Sequence, residues 1–303
     1  MNPPSPYIGR FAPSPSGPLH FGSLVAAVAS YLDARSQHGK WLVRIEDIDE
    51  PRCVPGADAV ILRTLELHHL YWDERVSYQS NQHSRYQTVI DSLLEKQRAY
   101  YCQCTRKIIR ASGGIYQGTC RHLHLPAAGN AVRLYVDEPV TLFNDRIQGE
   151  VIVTDAHALE DTVLKRRDGL FSYNLVVVLD DIYQGVTHVV RGYDLLTTTA
   201  AHLTLYRLLN TKPPEYAHFP VAAMLPGHKL SKQNHARAIG ANTPLQNLHK
   251  VLKFLTLWKP ECATIGSCEA LLAWATSQWD SKKLPKKAEI IVDQHDSPYY
   301  YEP

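Results

Sequence analysis

The sequence predicts an α/β fold: a parallel sheet with helices on both faces, an inserted module, and a short, mostly helical C-terminal region. Three observations lead there. Short apolar runs with strand character alternate with longer stretches of helical periodicity from residue 7 onward. That alternation breaks between about residues 100 and 155, where Cys102, Cys104 and Cys120 cluster. An apolar run then resumes at Tyr173, and the α/β alternation with it.

Taken in order, residues 7–11 form a strand that runs into the Pro/Gly/Ser-rich loop 12–17. Apolar periodicity over 20–37 predicts a helix, stopped by Gly39. Residues 41–45 form a second strand, ending in the acidic run Glu46-Asp47-Ile48-Asp49-Glu50 before Pro51. Helical patterns follow over 57–69 and 84–99, and the insertion carries short β-like runs at 131–136 and 151–154. The unbroken apolar stretch 173–179, closed by Asp180 and Asp181, reads as a buried strand. Another strand is expected at 187–190, then helices at 194–209, 245–257 and 268–278. The organisation is a main domain over 1–235, interrupted at about 100–155, followed by the region 236–303. Ligands of parallel sheets bind beyond the carboxyl ends of the strands, where Arg10, His20 and Glu46 fall.

Composition is that of an ordinary globular protein: of 303 residues, 45% are apolar and 20% charged, with a net charge of +2. No signal-peptide pattern opens the sequence and the apolar runs are too short for a bilayer, so a cytoplasmic protein, read as a monomer, is expected. Charge is unevenly spread. Six basic residues and no acidic one lie between Lys229 and Lys259. Such a stretch suits either a solvated face or an RNA backbone.

Two motifs carry chemistry. His20-Phe21-Gly22-Ser23 sets a histidine and a glycine at the start of a helix, where a phosphate meets backbone N–H groups and the positive end of the helix dipole. Lys229-Leu230-Ser231-Lys232 follows a Pro-Gly turn and offers two ammonium groups from a loop. Together they point to an enzyme that activates its substrate with a nucleotide. Combined with Arg10-Phe11-Ala12-Pro13-Ser14-Pro15-Ser16-Gly17 and Arg44-Ile45-Glu46-Asp47-Ile48-Asp49, they resemble the class I aminoacyl-tRNA synthetases, and more narrowly the catalytic half of the glutamyl and glutaminyl enzymes. The resemblance spans about residues 7–235. Ser23 stands where the first signature often ends in histidine.

The resemblance implies a Rossmann-like catalytic domain that binds L-glutamate and ATP with Mg2+. Arg10, Phe11, Ala12, Pro13 and Ser14 would face the amino acid, Glu46 would meet its α-ammonium, and Tyr173 and Arg191 would complete its pocket. The bland alternative for Arg191 is a salt bridge to Asp194. His20, Gly22 and Lys232 would hold ATP, with Lys229 in support. The three cysteines suggest one structural zinc ion. Spacing nominates His122 or His124 as the fourth ligand, whereas the resemblance points to Tyr116.

The 71 residues from Gln233 to Pro303 are fewer than the anticodon-binding portion of a full glutamyl enzyme. The chain is similar in this to a truncated branch of the family that activates glutamate without tRNA. That branch transfers glutamate to queuosine in the anticodon loop of tRNA(Asp). Alternatives are an abbreviated enzyme charging a tRNA 3′ end, a related adenylate-forming ligase with a small amine acceptor, and a non-catalytic RNA-binding paralogue.

Overall fold

The computed structural model describes residues 6–230 and 237–293. Strand β1 (Ile8–Phe11), helix α1 (Phe21–Ser36) and strand β2 (Lys40–Ile45) open the fold, followed by α2 (Ala57–Leu67), β3 (Ser77–Tyr78) and α3 (His83–Glu95). The insertion comprises β4 (Ala99–Cys102), α4 (Arg106–Ala111), β5 (Ala131–Leu134), β6 (Leu142–Asp145), β7 (Gly149–Ile152), the single turn α5 (Ala156–Leu159) and β8 (Val163–Lys165). Beyond it lie α6 (Tyr173–Tyr183), β9 (His188–Gly192), α7 (Thr198–Leu208) and β10 (Glu215–Phe219). The chain continues with β11 (Val221–Leu225), β12 (His228–Lys229), α8 (Pro244–Phe254), α9 (Cys268–Gln278) and β13 (Glu289–Ile291).

Strands β1, β2 and β3 pair in parallel, as do β9 and β10. Thr187 joins the two sets: its N–H donates to the Ile8 carbonyl (2.9 Å) and its hydroxyl accepts from the Ile8 N–H (2.8 Å). The central order is therefore β3-β2-β1-β9-β10, and the chain switches direction between β1 and β9. Side-chain alternation decides what each face meets. Phe11, Trp41, Val43 and Ile45 share one apolar core with α1, α8 and α9. Arg10 and Arg44 point to the opposite face, towards Asp181 of α6. A second core there unites α3, α6 and α7 with β4 and β5 of the insertion. Among the described residues no helix is long and apolar enough to cross a membrane.

One expected strand is a helix. Residues 173–183 form α6, capped by Ser172, whose hydroxyl accepts from the Leu175 N–H (3.4 Å). Every residue from Leu175 to Asp181 is buried. The apolar run therefore reflects burial on all sides and carries no period-2 signal; three consecutive valines then tilt the reading towards strand. Tertiary packing against α3 and α7 overrides that propensity.

Candidate active site

Beyond the carboxyl ends of β1, β2 and β9 lies a cavity of ≈ 360 Å3 at the switch between β1 and β9. Arg10, Phe11, Ala12, Pro13, Ser14, His20, Gly22, Glu46, Tyr173, Arg191 and Lys229 all line it. Lys232, the lysine expected on ATP, lies outside the described residues.

Helix α1 points its N-terminus at this cavity. His20 is its N-cap, and Nδ1 accepts from the Ser23 N–H (3.3 Å). A Cβ at Gly22 would lie 3.1 Å from His20 Cε1, so the ring lies close over the glycine. The first turn thus presents backbone donors and an imidazole edge where an anion is favoured. Across the cavity Lys229, at the end of β12, forms an ion pair with Asp194. Among the described residues Asp194 pairs with Lys229 and not with Arg191, against the salt bridge weighed from sequence.

The amino-acid side of the cavity holds five buried charged groups in two arrangements. Arg10 Nε and Arg44 Nη1 both donate to Asp181 Oδ1 (3.2 and 2.8 Å). Arg44 Nη2 also reaches Glu46 Oε1 at 3.4 Å. Burial pushes the Glu46 carboxyl up to about 7, outweighing the opposing pull of Arg44 and Arg10. Arg191 is held differently. Its Nε donates to His218 Nε2 (3.0 Å) and one Nη to the Thr199 hydroxyl (2.8 Å) and Leu195 carbonyl (3.3 Å). A second imidazole, His202, lies 3.4 Å from both Nη atoms. Among the described residues no carboxylate pairs with Arg191. Burial lowers His202 well below its ordinary range, and brings His218 down to about 4 in spite of Asp145. Both rings are neutral and leave the guanidinium charge uncancelled. Tyr173 opens α6 at the rim, 37% exposed, its ring tilted against His202.

Sequence reading missed Asp181, His218 and Asp145, and weighed Asp194 only as a partner of Arg191. Asp181 was hidden by the strand assignment. Asp194 had a signal, since it sits in the same strand-to-helix turn as Arg191. His218 and Asp145 lie far from any motif and meet only through the sheet.

The cysteines form a second centre at the tip of the β4–β5–β8 sheet. The sulfurs of Cys102, Cys104 and Cys120 all lie within 4.8 Å of one another. Tetrahedral zinc with Zn–S of about 2.3 Å spaces its sulfurs about 3.8 Å apart, so three thiolates here match one ion. The Tyr116 hydroxyl is 3.6 Å from Cys102 Sγ and accepts from the Cys120 N–H (2.9 Å). His122 and His124 are exposed and do not join the group. Cys53, Cys262 and Cys268 stand apart from it.

The model of class I tRNA synthetases (E and Q), catalytic domain, matches residues 8–243. The chain belongs to this family. It is 53% identical over 286 residues to the glutamyl-Q tRNA(Asp) synthetase of Photobacterium profundum, covering 94% of this chain and 92% of that protein. To the protein of the same name from Vibrio cholerae it is 52% identical, covering 95% of each. In Serratia proteamaculans the figures are 49% and 98%. Among solved structures, a glutamate tRNA ligase from Elizabethkingia meningosepticum, in complex with its amino acid, superposes with a TM-score of 0.79 at 25% identity. That match covers 96% of this chain and 68% of the ligase. Within the class, the chain groups with the glutamyl-Q tRNA(Asp) synthetases.

Proposed function

We propose that this chain activates L-glutamate with ATP, without RNA, and passes the glutamyl group to queuosine in the anticodon loop of tRNA(Asp). The observation that carries the amino-acid half is Arg191: a buried guanidinium on the cavity wall, held by neutral acceptors, with its charge left for an anion. A carboxylate side chain suits it and the corresponding amide does not. Arg10 and the backbone of Phe11, Ala12, Pro13 and Ser14 flank the same substrate, while Glu46 receives its α-ammonium. Tyr173 closes the pocket with its hydroxyl. The names of the relatives support the acceptor half.

In the first step the glutamate α-carboxylate attacks the α-phosphorus of ATP, forming the acyl–phosphate bond as pyrophosphate leaves. In the second a hydroxyl of the cyclopentene-diol ring of queuosine attacks the activated carbonyl and AMP leaves. No covalent enzyme intermediate is needed; alignment and charge stabilisation do the work. His20 and the α1 N-terminus at Gly22 hold phosphate, Lys229 exchanges Asp194 for a phosphate oxygen, and Lys232 joins it on pyrophosphate. Magnesium accompanies ATP. Cys102, Cys104, Cys120 and Tyr116 would hold one zinc ion, which ties the insertion together and takes no part in the reaction. The enzyme works as a cytoplasmic monomer of two parts: a catalytic domain with its insertion, and residues 236–303.

The test is glutamate-dependent exchange of pyrophosphate into ATP without tRNA, followed by transfer of labelled glutamate to tRNA(Asp) with and without queuosine and to tRNA(Glu). Exchange without RNA and labelling of queuosine-containing tRNA(Asp) alone is expected. RNA-dependent exchange with charging of tRNA(Glu) would make this an abbreviated conventional synthetase. Absence of exchange would leave the non-catalytic reading.

A further inference from the structure

Arg191 stands at the end of a buried chain of hydrogen bonds that starts in the insertion. Asp145 closes β6, and its Oδ1 accepts the N–H groups of Ile147 and Gln148 (both 2.9 Å) and of His218 (3.2 Å). Its Oδ2 lies 2.6 Å from His218 Nδ1. The other ring nitrogen, Nε2, accepts from Arg191 Nε. Both Asp145 and His218 are fully buried.

A neutral imidazole carries one proton, and its partners decide where. Arg191 Nε always bears hydrogen, so His218 Nε2 must be the bare nitrogen. An ionised carboxylate only accepts, so Asp145 requires the proton on Nδ1. The two demands agree. His202 follows the same logic: Nε2 faces the Asn174 carbonyl oxygen (3.1 Å), leaving Nδ1 to accept from Arg191. A carboxylate in either place would fix the guanidinium equally well but cancel its charge.

We infer that Asp145 and His218 are positioning residues for glutamate binding: Asp145 selects the tautomer of His218, and that tautomer holds Arg191 as an oriented but uncancelled cation. The inference rests on the proposed role of Arg191 in binding the amino acid. It makes the β6–β7 hairpin of the insertion part of the amino-acid site, though no atom of that hairpin lines the cavity.

Asp145→Asn tests it. The amide keeps the shape and can still accept the backbone N–H groups, but its NH2 faces Nδ1. The ring proton then moves to Nε2 and meets the Arg191 N–H head on. In RNA-free pyrophosphate exchange the KM for glutamate should rise about tenfold or more while the KM for ATP stays within about twofold. Adding His218→Gln should recover most of that loss, because glutamine places an oxygen near Nε2 and has no tautomer to flip. Nitrogen-15 NMR of the unmutated enzyme should find the His218 proton on Nδ1. An unchanged glutamate KM in Asp145→Asn, a double variant no better than the single one, or a proton on Nε2 overturns the inference. Arg191→Ala separates the two levels. If it leaves the glutamate KM unchanged, the role of Arg191 falls and the inference with it. If it raises KM while Asp145→Asn does not, the positioning chain alone falls.

Discussion

Glu46 and Asp181 are two acids on the same buried surface with opposite tendencies. Asp181, facing Arg10 and Arg44, stays below the ordinary carboxyl range despite burial. Asp181→Asn removes the carboxylate shared by two buried guanidinium groups, taking the ion-pair partner of Arg10 while Arg44 keeps Glu46 and Asp180, and should cost about 3–5 kcal/mol in urea unfolding. For Glu46 the sign is reversed. Its folded value of about 7 lies above the ordinary 4.5, so the folded chain keeps a proton that the unfolded chain has released. That contribution is complete below pH 4.5 and disappears as pH rises through 7. Glu46→Gln should therefore match the parent in acid and exceed it at pH 8 by up to about 3 kcal/mol. Activity should run the other way. An α-ammonium needs the carboxylate, so kcat/KM for glutamate should rise as pH passes through 7, a rise that Glu46→Gln abolishes. Gly22→Ala separates stability from function in the same manner. Alanine favours the helix by about 1 kcal/mol, yet its methyl crowds His20, so the melting point should hold or rise while the KM for ATP increases several-fold. At this scale Arg10, His20 and Glu46 were legible because motifs name them. His218 was not, since its meaning comes from β9 and β10 lying side by side: Arg191 and His218 are register partners.

At the scale of elements, β1, α1, β2 and α9 follow from periodicity and caps, whereas α6 does not. A helix buried on all sides has no polar face to advertise its period, and only the Ser172 cap and the eleven-residue length betray it. Leu175→Ala, at its fully buried start, should cost about 2–5 kcal/mol. The cysteine module shows the converse: the thiols were legible from spacing, but the choice between Tyr116 and the histidines was not. Metal analysis should find about one zinc per chain, lost in Cys104→Ser. Tyr116→Phe should weaken retention against a chelator, with His122→Ala and His124→Ala unchanged. Equal retention in Tyr116→Phe would remove the tyrosine from the ligand set.

For the molecule as a whole, the two cores lie on opposite faces of one five-stranded parallel arrangement, and α8 and α9 belong to the first of them. Helical character in that segment was readable; its packing onto α1 was not, because an apolar stripe does not say which surface it covers. The basic stretch remains exposed in part, with Arg237, Lys253 and Lys259 on the surface. Replacing these three by alanine should weaken tRNA binding and flatten its salt dependence, while RNA-free pyrophosphate exchange stays at the parental rate.

The parallel order β3-β2-β1-β9-β10 also governs how the protein is made. Strand β1 leaves the ribosome well before its neighbour β9, which is encoded about 180 residues later. At bacterial-scale elongation of up to about 20 residues per second, β1 waits on the order of ten seconds for that partner. Helices α1 to α4 and the cysteine module are synthesised in that interval and can form locally. The amino-acid pocket, which needs residues from β1, β2 and β9 together, closes only once β9 has emerged. Nascent chains are consequently exposed longest along one open strand edge, which makes β1 the segment where a chaperone has most to protect.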